Sequence, residues 1–310
     1  MACPVPDLSV VVICYNAADL INSCLQSVLY ASGSLQVEVV VVDNASQDGT
    51  ASIVLTDFPD VHLISCERND GFAAGVNRGA EAAHGRILLL LNPDAILEKE
   101  SLTAFVAFMD RNPVVGVAGA RTFDSNHHVS LTAYGPFTPL TVIWQYAGLD
   151  RLFPYQVFGR FRHACETATV PVDVSWVQGS AMAIRREPFQ QIGGFDEGFF
   201  LYCEETDFCT RAIEAGWRVA YLPQARVTHT ESSTASRYPA TKVLHHHLSP
   251  LHYFRKRERE DAVLFLKIGF TFELMLKSAI RLFQRIIRRD DDRRGHLGIY
   301  ANVLCASWRY

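Results

Sequence analysis

Two hydrophobic rhythms alternate along the first 120 residues. Apolar, largely β-branched runs at Ser9–Cys14, Val37–Val42, Val61–Ser65, Ile87–Leu91 and Val114–Ala120 predict strands of a buried sheet. Between them, Leu20, Ile21, Cys24, Leu25, Val28 and Leu29 recur with the spacing of one helix face. Helices are predicted again over Ser46–Leu55, over Ala73–Ala83 and around Leu102–Met109, the last closed by Pro113. Strand and helix in strict succession imply an α/β fold: a doubly wound, mostly parallel sheet with helices on both faces. Ligands of such sheets bind beyond the carboxyl ends of the strands. The polar residues at those ends are Tyr15 and Asn16, Asp43, Arg68 and Asn69, then Asn92 and Asp94.

After Thr122 the rhythm breaks. Thr122–Val172, with its Gly, Pro and aromatic residues, reads as long loops over the sheet edge, an acceptor-side insertion. Val174–Ala183 predicts a strand, Glu204–Ala215 a helix stopped by Gly216, and Val219–Leu222 a short strand ending before Pro223. The carboxyl-terminal segment, 237–310, is predicted to be helical. Phe272, Met275, Leu276, Ala279, Phe283, Ile286 and Ile287 share one face, with Lys277, Arg281, Arg285 and Arg288 as a basic stripe beside it. An apolar face next to a basic one suits peripheral contact with an anionic membrane. Docking on the catalytic domain or on a second copy, as a homo-oligomer, explains the pattern too. Ala262–Leu276 is too short to span a bilayer and carries Lys267 and Glu273. His245, His246, His247 and His252 read as surface or interface residues rather than as a metal site.

Composition narrows the functions. With 49% hydrophobic and 20% charged residues, the chain can bury a large core. A net charge of -4 argues against nucleic-acid binding through bulk charge. The eight cysteines form no CxxC pair and read as reduced thiols. Met1–Asp7 shows no basic region followed by an apolar stretch, so a cytoplasmic setting is expected.

An acid after the second strand first suggests a dinucleotide-dependent oxidoreductase. That fold needs a glycine-rich first turn, and here the turn is Cys14-Tyr15-Asn16-Ala17-Ala18. No GxxxxGK[ST] loop exists either. If a diphosphate binds, a divalent cation is the obvious way to neutralise it. Leu88-Leu89-Leu90-Leu91-Asn92-Pro93-Asp94 delivers two oxygen-bearing side chains into the crevice, of the kind magnesium or manganese takes. An Asn-Pro-Asp turn capping the next helix reads the same way.

Taken together, the motifs resemble glycosyltransferase family 2, the inverting family with the GT-A fold, and within it the bacterial rhamnosyltransferases. The matching blocks are Val11–Asn16, Val41–Thr50, Asn69–Gly79, Leu91–Asp94, Gly194–Phe200, Glu204–Asp207 and Val227–His229. The resemblance implies a catalytic domain over 1–236. Residues 1–120 would form its nucleotide-sugar half and 121–236 its acceptor and catalytic half. It implies a nucleotide-diphosphate sugar as donor, with deoxythymidine-diphosphate rhamnose favoured. The acceptor would be a saccharide or lipid-linked saccharide, and the ion Mg2+ or Mn2+. Tyr15, Asn16 and Asp43 fall around the nucleoside. Asn69, Gly71, Phe72, Gly75 and Asn77 fall beneath the donor sugar and diphosphate, where glycines admit close approach and a helix N-terminus faces the anion. Asp94 is implied as metal ligand, with His229 beside metal or phosphate. Asn92 replaces the first carboxylate of the family's Asp-x-Asp form and is placed on the donor. Glu205 is the implied catalytic base, accompanied by Glu204 and Asp207; Asp207 can also pair with Arg211 at i+4. Trp176, Gln178 and Gly179 are implied on the acceptor side. A non-catalytic nucleotide- or saccharide-binding module that kept the fold is the competing reading.

Overall fold

The computed structural model describes residues 5–149, 159–229, 237–288 and 294–310. The chain forms two compact units. The first comprises Met1–Pro136, Arg160–Phe200 and Glu204–Thr234; the second comprises Phe137–Gly159, Leu201–Cys203 and Ala235–Tyr310. The second unit thus draws on two segments inside 1–236, and the 236/237 boundary itself borders residues outside those described.

The first unit is built on a sheet in the order β3-β2-β1-β4-β10-β6-β11-β5. Its parallel half contains β1 (Leu8–Cys14), β2 (Val37–Asp43), β3 (His62–Ser65) and β4 (Ile87–Leu91). Helices α1 (Ile21–Ser32), α2 (Thr50–Asp57) and α3 (Phe72–Ala82) connect them. The alternation along each strand decides which core it feeds. Val10, Val12, Leu89 and Leu91 pack with α1 and with α4 (Ser101–Arg111). Val11, Ile13, Leu88 and Leu90 face α3 and α8 (Glu204–Glu214). Both faces are therefore apolar, which explains the unbroken hydrophobic runs. Helix α3 lies close to β1 because it presents glycine there. A side chain at Gly79 would strike Val11, and one at Gly75 would sit 2.7 Å from Ile13.

The other half is mixed. β6 (Val115–Phe123) and β11 (Arg218–His229) are parallel to each other, while β10 (Ala181–Arg185) runs antiparallel to both β4 and β6. Three expectations change here. The predicted strand Val174–Ala183 divides into β9 (Trp176–Val177) and β10, because Gln178–Ser180 turn between them. The strand predicted to stop before Pro223 continues to His229. Between Leu222 and Arg226 its register shifts against β6, a bulge in which proline withholds no ladder N–H. A short strand, β5 (Ala95–Leu97), pairs with the end of β11 and was not foreseen.

The segment expected to be loops also holds structure. It contains β7 (Ala133–Tyr134), α5 (Pro139–Tyr146), whose Thr138 cap accepts from the Thr141 amide, and α6 (Gly159–Thr167). β7 pairs with β9, and a two-residue β8 (Val172–Asp173) joins β11; α7 (Arg186–Gln191) follows β10. Residues 150–158 of that loop lie outside the described residues.

The second unit is helical: α5, α9 (Pro239–Lys256), α10 (Glu260–Arg288) and α11 (Arg294–Arg309). His247 is buried and holds Glu273 at 3.0 Å, which corrects its expected surface placement. Among the described residues no helix is long and apolar enough to cross a membrane. The seven described cysteines are free.

Candidate active site

β1 and β4 are neighbours although β2 and β3 intervene in sequence, so the sheet order reverses at this pair. A crevice opens beyond their carboxyl ends at such a point. One end of it is formed by the loops after β1 and β2, which are tied to each other. The Asn16 amide donates to Ser46 Oγ (2.8 Å), the Gln47 amide to Asn16 Oδ1 (2.8 Å) and the Ala17 amide to Thr50 Oγ1 (2.9 Å). Asn16 takes the left-handed conformation, φ 51°, which asparagine tolerates. Asp43 is buried, and burial raises its carboxyl above the ordinary value. Its Oδ2 accepts from the Ser46 amide, whereas its Oδ1 is enclosed without a protein partner. Asn44 shows the same feature: Nδ2 donates to the Gly71 carbonyl while Oδ1 is left over. Buried polar atoms normally find partners, so this end of the crevice has acceptors to offer a ligand's N–H or O–H groups. Asn44 was visible in its sequence block but was not assigned to the site.

The segment Asn69–Asn77 behaves differently from the expectation. Asn69 Oδ1 accepts from the Gly71 amide, closing a local turn, and the Phe72 amide donates to the Phe200 carbonyl. Gly71 has φ 93°, and a side chain there would collide with Phe200. Gly75 abuts Ile13, so its missing side chain serves helix–sheet packing rather than the donor. Asn77 is fully engaged. Its Nδ2 donates to the Phe195 carbonyl and to Glu197, and its Oδ1 accepts from the Phe195 amide, all at 2.9 Å. Gly75 and Asn77 thus hold α3 on the sheet and the 194–197 loop on α3. Asn77→Ala should destabilise the fold by about 2–3 kcal/mol while leaving donor affinity unchanged. Urea unfolding and donor titration check the two halves of that statement.

At the opposite side of β4, Asp94 and His229 converge. Both are nearly buried, brought together because His229 pairs with Ala95 across β11 and β5. Asp94 Oδ1 lies 2.9 Å from His229 Nε2, and Asn92 Nδ2 lies 3.4 Å from the same nitrogen. A carboxylate oxygen and an imidazole lone pair are both acceptors, so a proton or a cation belongs between them. Two ligand atoms at this spacing also match adjacent corners of an octahedron with bonds of about 2.1 Å. The set fits Mg2+ or Mn2+. Among the described residues no group of three His, Cys, Asp or Glu gathers, so an ion held by Asp94 and His229 would need ligands from outside these side chains, as magnesium commonly takes from phosphate and water.

Helix α8 opens with the acidic cluster. Asp207 is wholly buried and bonded to Arg211 (2.7 Å), which also donates to the carbonyls of Ile192 and Gly194. Asp207 thus fastens the loop before α8 through Arg211, the i+4 pairing its spacing allowed. Glu204 is buried, and burial, reinforced by Glu205, lifts its carboxyl well above the ordinary value. Glu205 is only partly covered, and burial pushes it up to about 7, opposed by its own amide and that of Gly179. Each acid has one carboxyl oxygen enclosed without a partner.

The Gln178–Ser180 turn links the two groups. The Gly179 amide faces Glu205, and the Ser180 carbonyl accepts from the Asn92 amide at 3.0 Å. Ser180, whose hydroxyl is buried without a partner, was not anticipated; in the sequence it looked like one more position of a continuous strand. The Gln178 amide donates to the Thr132 carbonyl. Trp176 stacks on Tyr134, centroids 3.9 Å apart and ring planes nearly parallel, so one ring face is already occupied.

Known proteins match this architecture. Residues 9–193 match the profile of Glycosyl transferase family 2, and residues 159–233 that of the N-terminal domain of galactosyltransferase. An N-acetylglucosaminyl-diphospho-decaprenol L-rhamnosyltransferase of Mycobacterium tuberculosis (strain ATCC 25618 / H37Rv) is 30% identical over 262 residues, 78% of this chain and 82% of the relative. The solved mannosyltransferase PcManGT from Pyrobaculum calidifontis, in complex with GDP-Man and Mn2+, superimposes with a TM-score of 0.55 at 19% identity, covering 98% of this chain and 86% of its own. GalNAc-T7 with UDP, GalNAc and Mn2+ gives 0.56 at 18% identity, covering 73% of this chain and 43% of that longer one. The profile spans more than half of the 310 residues and the fold is that of GT-A enzymes, so this chain is a glycosyltransferase belonging to family 2.

Proposed function

We propose that this chain transfers L-rhamnose from a deoxythymidine diphosphate to a lipid-linked saccharide, with inversion, at the inner face of a membrane. The observation that carries the mechanism is the partly covered Glu205, with a carboxyl near 7, joined through Gln178–Ser180 to the Asn92–Asp94 end of β4. A general base works best when its pKa lies close to the working pH.

In this reading the nucleoside lies against Tyr15, Asn16, Asp43 and Asn44, and the enclosed oxygens of Asp43 and Asn44 accept from base or ribose. Asp94 and His229 hold Mg2+ or Mn2+, which supplies charge stabilisation to the departing diphosphate when bound. Asn92 orients the donor beside His229. Glu205 accepts the acceptor hydroxyl's proton. The oxygen forms its bond to the anomeric carbon as the bond to the diphosphate breaks, and the nucleoside diphosphate leaves with the electron pair. Glu204, whose carboxyl burial raises well above the ordinary value, accompanies the base. Gly179 steadies Glu205 through its amide. Gln178 and the Trp176–Tyr134 stack border the acceptor. The relative that acts on a diphospho-decaprenol saccharide supports this choice of donor and acceptor, and the Mn2+ in the two solved neighbours supports the ion.

The test is a panel of nucleotide sugars with and without Mn2+, scored by thermal shift and donor hydrolysis. Stabilisation by deoxythymidine-diphosphate rhamnose that requires the ion supports the reading. A response to a different donor alone would replace the sugar, and metal-independent stabilisation would remove Asp94 and His229 from the site.

A further inference from the structure

Helix α10 divides its apolar side chains into two sets. Val263, Leu266, Phe270 and Leu274 are buried within the second unit. Leu264, Ile268, Phe272, Met275, Leu276 and Phe283 stand on the other side, with Phe272 exposed to 72% and Phe283 to 64%. From Leu264 to Phe283 every exposed residue of the helix is apolar except Lys277. At 3.6 residues per turn the exposed apolar set covers an arc of about 160°. Lys267 lies about 60° beyond one edge of that arc and Lys277 about 60° beyond the other. At the Lys267 edge, Trp308 of α11 donates its Nε1–H to Thr271 Oγ1 (3.0 Å), half-exposes its ring and carries the Lys267 ammonium 5.7 Å from the ring centroid.

Such an arc has two candidate covers. A protein partner would meet it with a polar rim and about one hydrogen bond per 100–200 Å², yet the arc offers neither donor nor acceptor. Hydrocarbon asks for none. Lys267 at one margin can extend its ammonium group to lipid phosphates while its stem lies along the apolar face, and tryptophan favours the same boundary. The buried side of the helix carries Glu273, bonded to His247, so α10 is suited to lie in the interface plane and not to cross it.

We propose that the exposed face of α10 seats the second unit on an anionic phospholipid surface, with Phe272, Met275 and Leu276 at the acyl boundary and Lys267 at the head groups. This names the partner surface for the lipid-linked acceptor and rests on that reading of the substrate. Of the basic stripe expected from sequence, Lys277 pairs with Glu273 and Arg281 lies over the Tyr300 ring. Arg285 and Arg288 fall outside the residues whose side chains are described.

The test is flotation of the full chain with phosphatidylcholine vesicles, with and without about 30 mol % phosphatidylglycerol. Wild type should float with the anionic vesicles. Phe272→Gln combined with Met275→Gln should lower that partition roughly tenfold or more, with metal-dependent donor binding unchanged, which also reports a folded protein. Lys267→Gln should weaken flotation on anionic vesicles only. Wild type failing to float, or the double variant floating equally well, would overturn the proposal. So would a wild-type dimer that the double variant turns monomeric without altering flotation. Donor binding is read separately: flotation without any donor response would sink the proposed donor and leave the surface standing, and the reverse result would do the opposite.

Discussion

Glu205→Gln is expected to lower sugar transfer by roughly 10²–10⁴-fold, the range general-base catalysis supplies, while donor affinity stays within about twofold. The amide keeps the shape and cannot take the proton. Wild-type kcat/KM should fall as pH drops below about 7, because the base is then protonated. The same substitution should raise stability at pH 8. The folded carboxyl, near 7, lies above its ordinary 4.5, so the folded state holds the proton more tightly than the unfolded chain. Stability is complete below pH 4.5 and is lost as pH rises through 7. Glutamine removes that loss, a gain on the order of 2 kcal/mol. Urea titrations of both proteins at pH 5 and pH 8 measure it, the values chosen on either side of about 7. Equal stabilities at both pH values would contradict the buried-acid account. An active but slower Glu204→Gln variant is expected beside it, since Glu204 is read as accompanying the base.

Asp94→Asn is expected to weaken Mn2+-dependent donor binding roughly 100-fold or more, because even partners one step removed from a metal cost 10–100-fold when changed. Donor binding without the ion should be unaffected. Isothermal titration with and without Mn2+ separates the two contributions. An equal loss in both conditions would mean that Asp94 touches the donor directly. Retained metal dependence would move the ion elsewhere.

The parallel half of the sheet was legible because its physics is local. Runs such as Val10–Cys14 and Leu88–Leu91 can only be strands buried on both faces, and the residues that follow them reach the crevice. The second half was less legible for the same reason. Nothing near Pro223 announces a bulge, since it is pairing with β6 that tolerates one. Ala95–Leu97 becomes a strand only because the end of β11 lies beside it. Among site residues, Asp94 and His229 lie 2.9 Å apart at the crevice, while Gly75, Asn77 and Asp207 each meet partners within the fold. Their partners explain the difference. Asn77 is consumed by residues 118 and 120 positions away, Gly75 by Ile13, and Asp207 by an arginine that also fastens the preceding loop. A motif reports that a residue type is needed; only the tertiary neighbours say for what.

The most direct measurement of the central claim is NMR of the product formed from deoxythymidine-diphosphate rhamnose and a short diphospholipid-linked acceptor with Mn2+. Transfer with anomeric configuration opposite to the donor's, abolished by Glu205→Gln, is the predicted result. Transfer with retained configuration would contradict a single displacement assisted by one base, and full transfer by the Glu205→Gln variant would contradict the assignment of that base.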